Sequence, residues 1–317
     1  MMIYKYFDKQ PVSQLYIISK CKQKLMAGNT KLSEFFLQFC SDRALREVAY
    51  VAWTKRGANE GERNNVKLAH ETLKLRAQMA KILGYASYSH YKLDTEMASS
   101  PENVDKLLTT VWGPARKAAI KDEAILSSLM RQDGIGDTLR AWDWRFYAER
   151  RRLRDYDLNE ENVKPFFQLD NLINATFKCA FELFGLEFSP LDVPLYHDDC
   201  RAWTVSRKGE SIAVFIGDYF SRPSKRSGAW CNAMRSQAKF PTKQIPIVVN
   251  VCNFSKVDNF LLSFEDAKTL FHEFGHALHQ ILSDVTYNII SGTSVARDFV
   301  ELPSQLFEHW LQVPDIL

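Results

Sequence analysis

Long apolar runs are absent from this sequence, and no segment approaches the roughly 20 apolar residues that a membrane-spanning helix needs. The first residues, MMIYKYFDKQPVSQ, also lack the apolar centre of a signal peptide. Both absences argue against a membrane-bound or exported protein. We therefore expect a cytoplasmic protein that does not interact with membranes.

Cysteine is sparse, and the six cysteines are scattered without a CxxC pair. This pattern differs from a disulfide-stapled domain and from a cysteine zinc site, and it fits a reducing compartment. A large excess of one charge is lacking too, because 41 Lys and Arg residues stand against 38 Asp and Glu residues and leave a formal net charge of +3. Such a near balance argues against a dedicated nucleic-acid binder.

Internal repeats, low-complexity tracts, serine or cysteine nucleophile motifs, dinucleotide fingerprints and phosphate-binding loops are also absent. What remains is a chain of 317 residues, 46% of them apolar, which is enough for one large domain or two average ones. No feature of the sequence indicates an oligomeric state.

Apolar spacings of three and four residues dominate the first half of the chain and predict helices. One helix is predicted from Gly61 to Leu83, with Gly84 as a left-handed cap. Another begins at Ser100-Pro101-Glu102, where a serine cap precedes a proline in the first turn. Two further helices are predicted, one that Asp137 caps and one over residues 160–185.

Short β-rich segments follow over residues 188–254 and predict a small sheet. Ala202–Ser206 and Ile212–Ile216 predict a hairpin, because turn-forming residues separate them. The sequence therefore predicts a mainly α fold with a small antiparallel β-sheet. Its predicted organisation is a helical region, 1–186, followed by a region, 187–317, that contains the sheet and a functional helix.

A third strand is predicted over Ile245–Val251, and Pro246 favours an edge position for it because proline cannot donate to a sheet ladder. An edge strand can bind an extended peptide by strand addition. The preceding segment, Asp218–Ala238, is rich in Ser, Arg, Lys and Gly and predicts a loop or a broken helix.

Residues 271–276, FHEFGH, contain an HExxH motif. On a helix, His272 and His276 lie about 40° apart around the axis and about 6 Å apart along it, so both imidazoles can reach one metal ion. Glu273 lies one residue on, where it can approach a metal-bound water without being a ligand. Ser263 and Asp266 give this helix a capping-box start. The motif alone also fits ordinary surface or buried histidines, so a third ligand is the deciding feature.

Glu301 is the best candidate for that third ligand. It follows His276 by 25 residues, which leaves room for a turn at Ser291-Gly292-Thr293 and a second helix that returns a carboxylate to the metal. Taken alone, Glu301 also fits a solvated helix acid.

Several neighbouring groups have two interpretations. His279 lies near the face of the two motif histidines and either touches the metal site or packs beside it. Asp298 and Glu308 either orient a ligand histidine or are surface acids. The segment His197-Asp198-Asp199 suggests another metal cluster, but a strand-entry loop fits it better.

The string HEFGHALH at 272–279, the turn Ser291-Gly292-Thr293, and DFVELPSQ at 298–305 with Trp310 closely resemble the thimet-oligopeptidase and peptidyl-dipeptidase family of zinc peptidases. The resemblance covers roughly residues 39–317. It implies a zincin-like helical metallopeptidase core in which His272, His276 and Glu301 hold one Zn²⁺ per chain.

Upstream segments look most like the bacterial peptidyl-dipeptidase branch of that family: residues 225–230 (KRSGAW), 196–199 (YHDD) and 156–158 (YDL) near 164–167 (KPFF). Family members usually run to about twice this length and carry, after the third ligand, a Gly-rich loop with Tyr and His side chains that hold substrate. The resemblance therefore implies a truncated chain that lacks the C-terminal part of the family fold.

The implied reaction is hydrolysis of short peptides with release of C-terminal dipeptides. Zinc would lower the pKa of its water and polarise the scissile carbonyl, while Glu273 would accept the proton of the water and pass it to the leaving amine. Two alternatives remain, an endo-acting oligopeptidase of the same family and a truncated, inactive zinc-binding scaffold.

Overall fold

The computed structural model describes residues 30–136, 138–156, 166–256, 261–314 and 316. The chain divides into two compact units, Met1–Asp94 with Ser99–Leu158, and Thr95–Ala98 with Asn159–Leu317. The predicted helix cap Asp137 lies outside the described residues. No helix within the described ranges has the length and apolarity needed to cross a bilayer.

Helices make up the regular structure of the first unit in the part of the chain that the structure describes. They are α1 Thr30–Phe39, α2 Arg43–Thr54, α3 Val66–Ile82, α4 Tyr88–Leu93, α5 Pro101–Gln132 and α6 Ala141–Tyr156. The predicted start at Ser100 is confirmed, because its hydroxyl accepts a hydrogen bond from the backbone nitrogen of Asn103 at 3.3 Å. Helix α3 ends before Gly84, which has the expected positive φ of 82°. It begins at Val66, later than predicted, and Gly61 lies outside it with a non-helical φ of 106°.

The second unit contains a five-stranded sheet in the order β1-β2-β3-β5-β4. Its strands are β1 Leu186–Pro190, β2 Arg201–Arg207, β3 Glu210–Phe220, β4 Trp230–Arg235 and β5 Ile247–Phe254. The predicted hairpin is confirmed as β2 and β3, joined through Lys208 and Gly209, both of which have positive φ. The prediction of a purely antiparallel sheet is wrong, because β5 returns between β3 and β4 and runs parallel to β3.

Two further predictions are also wrong, the edge position of the third strand and the loop or broken helix over Asp218–Ala238. Strand β5 pairs with β3 on one side and with β4 on the other, so it lies in the interior of the sheet. Pro246 does not prevent this, because it precedes the strand and contributes its carbonyl, which accepts a hydrogen bond from the nitrogen of Val214 at 3.0 Å. The segment predicted as a loop or broken helix contains β4, and no described strand pairs with the outer edge of β4.

Helices of the second unit cover one face of this sheet. They are α7 Leu169–Phe184, α8 Phe264–Ile281 and α9 Glu301–Glu308, with short 3₁₀ turns at Asn288–Ile290 and His309–Gln312. Helix α8 buries Leu270, Phe271 and Phe274, and the ring of Phe274 lies 5.4 Å from that of Phe215 on β3. Burial of this apolar face fixes the rotation of α8 and leaves its motif histidines at the other side of the helix.

Candidate metal centre

Helix α8 begins as its sequence predicts. The hydroxyl of Ser263 accepts a hydrogen bond from the backbone nitrogen of Asp266 at 3.1 Å, and the Asp266 carboxylate accepts one from the Ser263 nitrogen. This reciprocal capping box satisfies two donors at the helix start. Within the helix, His272 and His276 are four residues and therefore about one turn apart, and their ring centroids lie 4.9 Å apart.

The imidazoles of His272 and His276 converge on the carboxylate of Glu301. One oxygen, Oε2 of Glu301, lies 3.2 Å from Nε2 of His272 and 3.1 Å from Nε2 of His276. Ligand atoms of these three residues all lie within 4.8 Å of one another, and they form the one such group found among the described residues. Tetrahedral zinc ligands at about 2.0–2.1 Å from the ion are separated by roughly 3.3 Å, so the observed spacing suits one small divalent cation.

The chemistry of the donors agrees with that spacing. Two imidazoles and one carboxylate form a common ligand set for catalytic zinc, which leaves a fourth position for water. Burial lowers the pKa of His276, and the neutral imidazole that this favours is the ligating form. Glu301 is about half exposed, at 52%, so solvent can reach the open side of the group.

Close packing of α9 against α8 brings Glu301 to the histidines. The contact occurs at Gly275, where an added Cβ would lie 2.7 Å from the Cα of Ser304 and 3.0 Å from the Cβ of Phe307. The hydroxyl of Ser304 then donates to Oε2 of Glu301 at 3.0 Å. The glycine within the motif therefore allows the two helices to approach closely enough for one carboxylate to meet both imidazoles.

A second acid of α9 holds the other side of His272. Oε1 of Glu308 lies 2.7 Å from Nδ1 of His272, and its Oε2 lies 3.1 Å from Nζ of Lys268. Burial raises the pKa of Glu308, but hydrogen bonds with His272 and Lys268 outweigh it and hold the pKa below its usual value. An ionised Glu308 favours the tautomer of His272 with hydrogen on Nδ1, which leaves Nε2 free to ligate.

Glu273 is buried, at 6% exposed, and its Oε2 has no hydrogen-bond partner among the described residues. Burial raises the pKa of Glu273 to about 7, the electrostatic interaction with His272 opposes this rise, and the carboxylate of Glu301 adds to it. Burial raises the pKa of the Cys231 thiol on β4, and the charge of Glu273 adds to this rise.

The other residues that the sequence suggested for the metal site lie outside the group of three ligand residues. Asp298 does not orient a histidine, since its carboxylate accepts hydrogen bonds from the nitrogens of Met97 and Ala98 at 3.0 and 2.9 Å.

His279 is not part of the group of three ligand residues, and its ring centroid lies 6.3 Å from that of Phe299. The segment His197-Asp198-Asp199 lies in the β1–β2 connection, where the Asp199 nitrogen donates to Nδ1 of His197.

Sequence reasoning missed a buried charge cluster around Asp218 on β3. Its carboxylate bonds with Arg222, Lys225 and Tyr196. The available signal was a single acid inside an apolar strand, followed by basic residues four and seven positions later.

An HExxH helix that meets a glutamate from a following helix is an arrangement typical of zinc peptidases. The sequence profile of Peptidase family M3 matches residues 36–317, and the chain belongs to this family. The resemblance to zinc peptidases of this type is therefore confirmed at the family level, and this family of metallopeptidases implies a metal ion.

Curated relatives carry two kinds of name. Dipeptidyl carboxypeptidase of Escherichia coli K12 is 37% identical over 283 residues, which are 87% of this chain and 41% of the relative. Probable cytosolic oligopeptidase A of Arabidopsis thaliana is 35% identical over 299 residues, 89% of this chain and 42% of the relative. Oligopeptidase A of E. coli K12 is 32% identical over 293 residues, which are 89% of this chain and 43% of the relative. The chain thus spans about two fifths of the length of these relatives.

Proposed function

We propose that the second unit binds one zinc ion through His272, His276 and Glu301, and that this centre hydrolyses peptides. The observation that carries the proposal is the position of a single carboxylate oxygen, Oε2 of Glu301, within 3.2 Å of Nε2 of both histidines. Membership of a peptidase family supports the reaction class.

Each residue has a defined part in this proposal. His272, His276 and Glu301 would hold the zinc, which would supply a Lewis acid that polarises the scissile carbonyl and makes the attacking water more acidic. Glu273 accepts the proton of the attacking water and later donates it to the leaving amine, a role that requires the carboxylate to be ionised at the start. Burial opposes that ionisation, whereas a cation beside Glu273 favours it. Glu308 holds His272 in the ligating tautomer.

The peptide would bind along β4 rather than along Ile245–Val251. Strand β4 lies beside α8, since Nε2 of Gln280 donates to Sγ of Cys231 at 3.1 Å. No described strand occupies its outer edge. A peptide that extends there by strand addition would lie on the sheet that α8 packs against and would be held largely through its backbone, which gives affinity with little sequence preference.

For the cleavage mode, we propose release of C-terminal dipeptides, with internal cleavage as the alternative. The relatives named dipeptidyl carboxypeptidase and oligopeptidase A support both modes. We also propose a cytoplasmic setting. The five cysteines that the structure describes support it, because none of them forms a disulfide bond. A zinc-binding scaffold without turnover is the third possibility, because the chain spans only part of its relatives.

The test combines metal analysis with a peptidase assay of the wild-type chain and the Glu273→Gln variant. We expect one zinc per chain in both proteins and hydrolysis by the wild type alone. Peptides blocked at the N-terminus or at the C-terminus separate dipeptide release from internal cleavage. Absence of zinc from the wild type, or equal turnover by the variant, would contradict the proposal, whereas zinc without turnover in either protein would support the scaffold.

A further inference from the structure

The carboxylate of Asp218 is buried at the end of β3, with 2% of its side chain exposed. Arg222 donates to both of its oxygens, at 2.7 and 2.8 Å, and the hydroxyl of Tyr196 donates to Oδ2 at 3.0 Å. Nζ of Lys225 lies 3.0 Å from Oδ1. Both cations belong to the loop 221–229 that joins β3 to β4, so the acid anchors this loop to the sheet.

Lys225 connects three segments through one ammonium group. Besides the carboxylate, Nζ donates to the backbone oxygens of Asp218 and Phe220, at 3.1 and 2.8 Å, and to that of Cys252 on β5. Only 5% of the lysine side chain is exposed. A buried cation that satisfies several carbonyl oxygens fixes the loop relative to both β3 and β5.

Asn253 of β5 adds a second connection, in which a side chain of the strand binds the backbone of the loop. Its Nδ2 donates to the backbone oxygens of Arg226 and Gly228 at 2.7 and 2.6 Å. Most residues of the loop 221–229 are exposed, so little apolar burial holds it. The side chains of Asp218, Arg222, Lys225 and Asn253, here termed the loop clamp, supply that restraint.

We propose that the loop clamp is a positioning device for strand β4, and through it for the bound peptide. Strand β4 begins at Trp230, directly after the clamped loop, and among the described strands only β5 pairs with it. A strand held from one side frays easily unless its entry is fixed. The fixed entry holds β4 in register beside helix α8, where Cys231 meets Gln280; the part of this inference that concerns the peptide rests on the proposed function.

The test replaces Lys225 by methionine, which keeps the aliphatic stem and removes the donors. We expect backbone amides of residues 226–235 to exchange hydrogen about tenfold faster or more, while α8 and the zinc content stay unchanged. In a Glu273→Gln background, which prevents turnover, the affinity for a blocked peptide should fall about tenfold because a frayed β4 is a poorer template. Lys243→Met is the matched control, since Lys243 forms an exposed pair with Glu210 at 2.9 Å.

Asn253→Ala provides a milder variant if Lys225→Met does not fold, because Asn253 is only half-buried. It should accelerate exchange in the same residues. Wild-type exchange rates in residues 226–235, or an equal acceleration throughout α8, would overturn the inference. If the Glu273→Gln parent binds zinc but no peptide, the proposed peptide site fails, and the exchange rates still decide whether the clamp holds β4.

Discussion

Oε1 of Glu308 lies 2.7 Å from Nδ1 of His272, on the opposite side of the imidazole from Glu301. His272 is therefore held by one carboxylate at each ring nitrogen. The two motif histidines differ in this respect, because Nδ1 of His276 is buried and has no partner among the described residues.

Removal of this support should weaken metal binding. We expect Glu308→Ala to lower zinc affinity roughly 10- to 100-fold, because His272 loses the group that fixes its tautomer and ring orientation. Glu308→Gln retains an acceptor and should lose less. Competition with a chromophoric chelator measures both effects. Glu265→Ala, an exposed acid of the same helix, is the control, and an affinity for Glu308→Ala equal to that control would remove Glu308 from the site.

Gly275→Ala should be destabilising although alanine is the better helix former by about 1 kcal/mol. The added methyl would lie 2.7 Å from the Cα of Ser304 and would force α9 away from α8. We expect a loss of about 1–3 kcal/mol in the free energy of unfolding, together with weaker zinc binding as Glu301 moves outward. Urea denaturation and zinc titration measure the two effects; a variant more stable than the wild type would show that the helices separate without cost.

Zinc should raise the unfolding temperature of the wild type and of His279→Ala, but not that of His276→Ala. At a zinc concentration of 100 times Kd, the expected stabilisation is about 2.7 kcal/mol. The two histidines make a matched pair, because each lies on α8 with a buried Nδ1 that lacks a partner in the described part of the chain. Thermal unfolding with zinc and with a chelator measures the difference. Loss of the zinc effect in His279→Ala would show that the ligand set is incomplete.

Asp218→Asn should destabilise the chain at neutral pH. Burial raises the pKa of Asp218, but hydrogen bonds from Arg222 and Lys225 outweigh it and leave the pKa below its usual value. A carboxyl with a lower pKa in the folded state contributes stability above its unfolded pKa and loses it as the pH falls through the folded pKa. We expect a loss of roughly 3 kcal/mol at pH 7 that shrinks below about pH 4.

Urea denaturation at pH 7 and at a pH below about 4 measures the effect of Asp218→Asn. Glu210→Gln, which breaks an exposed pair with Lys243, is the control and should change stability by less than about 1 kcal/mol. A loss at pH 7 no greater than that of the control would show that the buried charge is not stabilising.

The sequence determined the features that depend on neighbouring residues. The capping box at Ser263, the glycine cap at Gly84 and the turn of the β2–β3 hairpin are set by local backbone preferences, and the structure agrees with each of them. Helical spacing likewise placed His272 and His276 on one face. Their ligand role, with Glu301, stays a prediction, although the structure brings the three side chains together.

Tertiary structure alone decided the features that depend on distant pairing. Local sequence favoured an edge position for β5, yet pairing with β3 and β4 placed it inside the sheet, because strand order is set by which apolar faces bury together. Asp298 and Glu308 were equal candidates for orienting a histidine until α9 packed at Gly275. That contact turned Glu308 toward His272, whereas Asp298 caps the nitrogens of Met97 and Ala98. The partner of Glu308 lies 36 residues away along the chain and those of Asp298 lie about 200 residues away, so no local pattern shows them and only the folded chain could assign them.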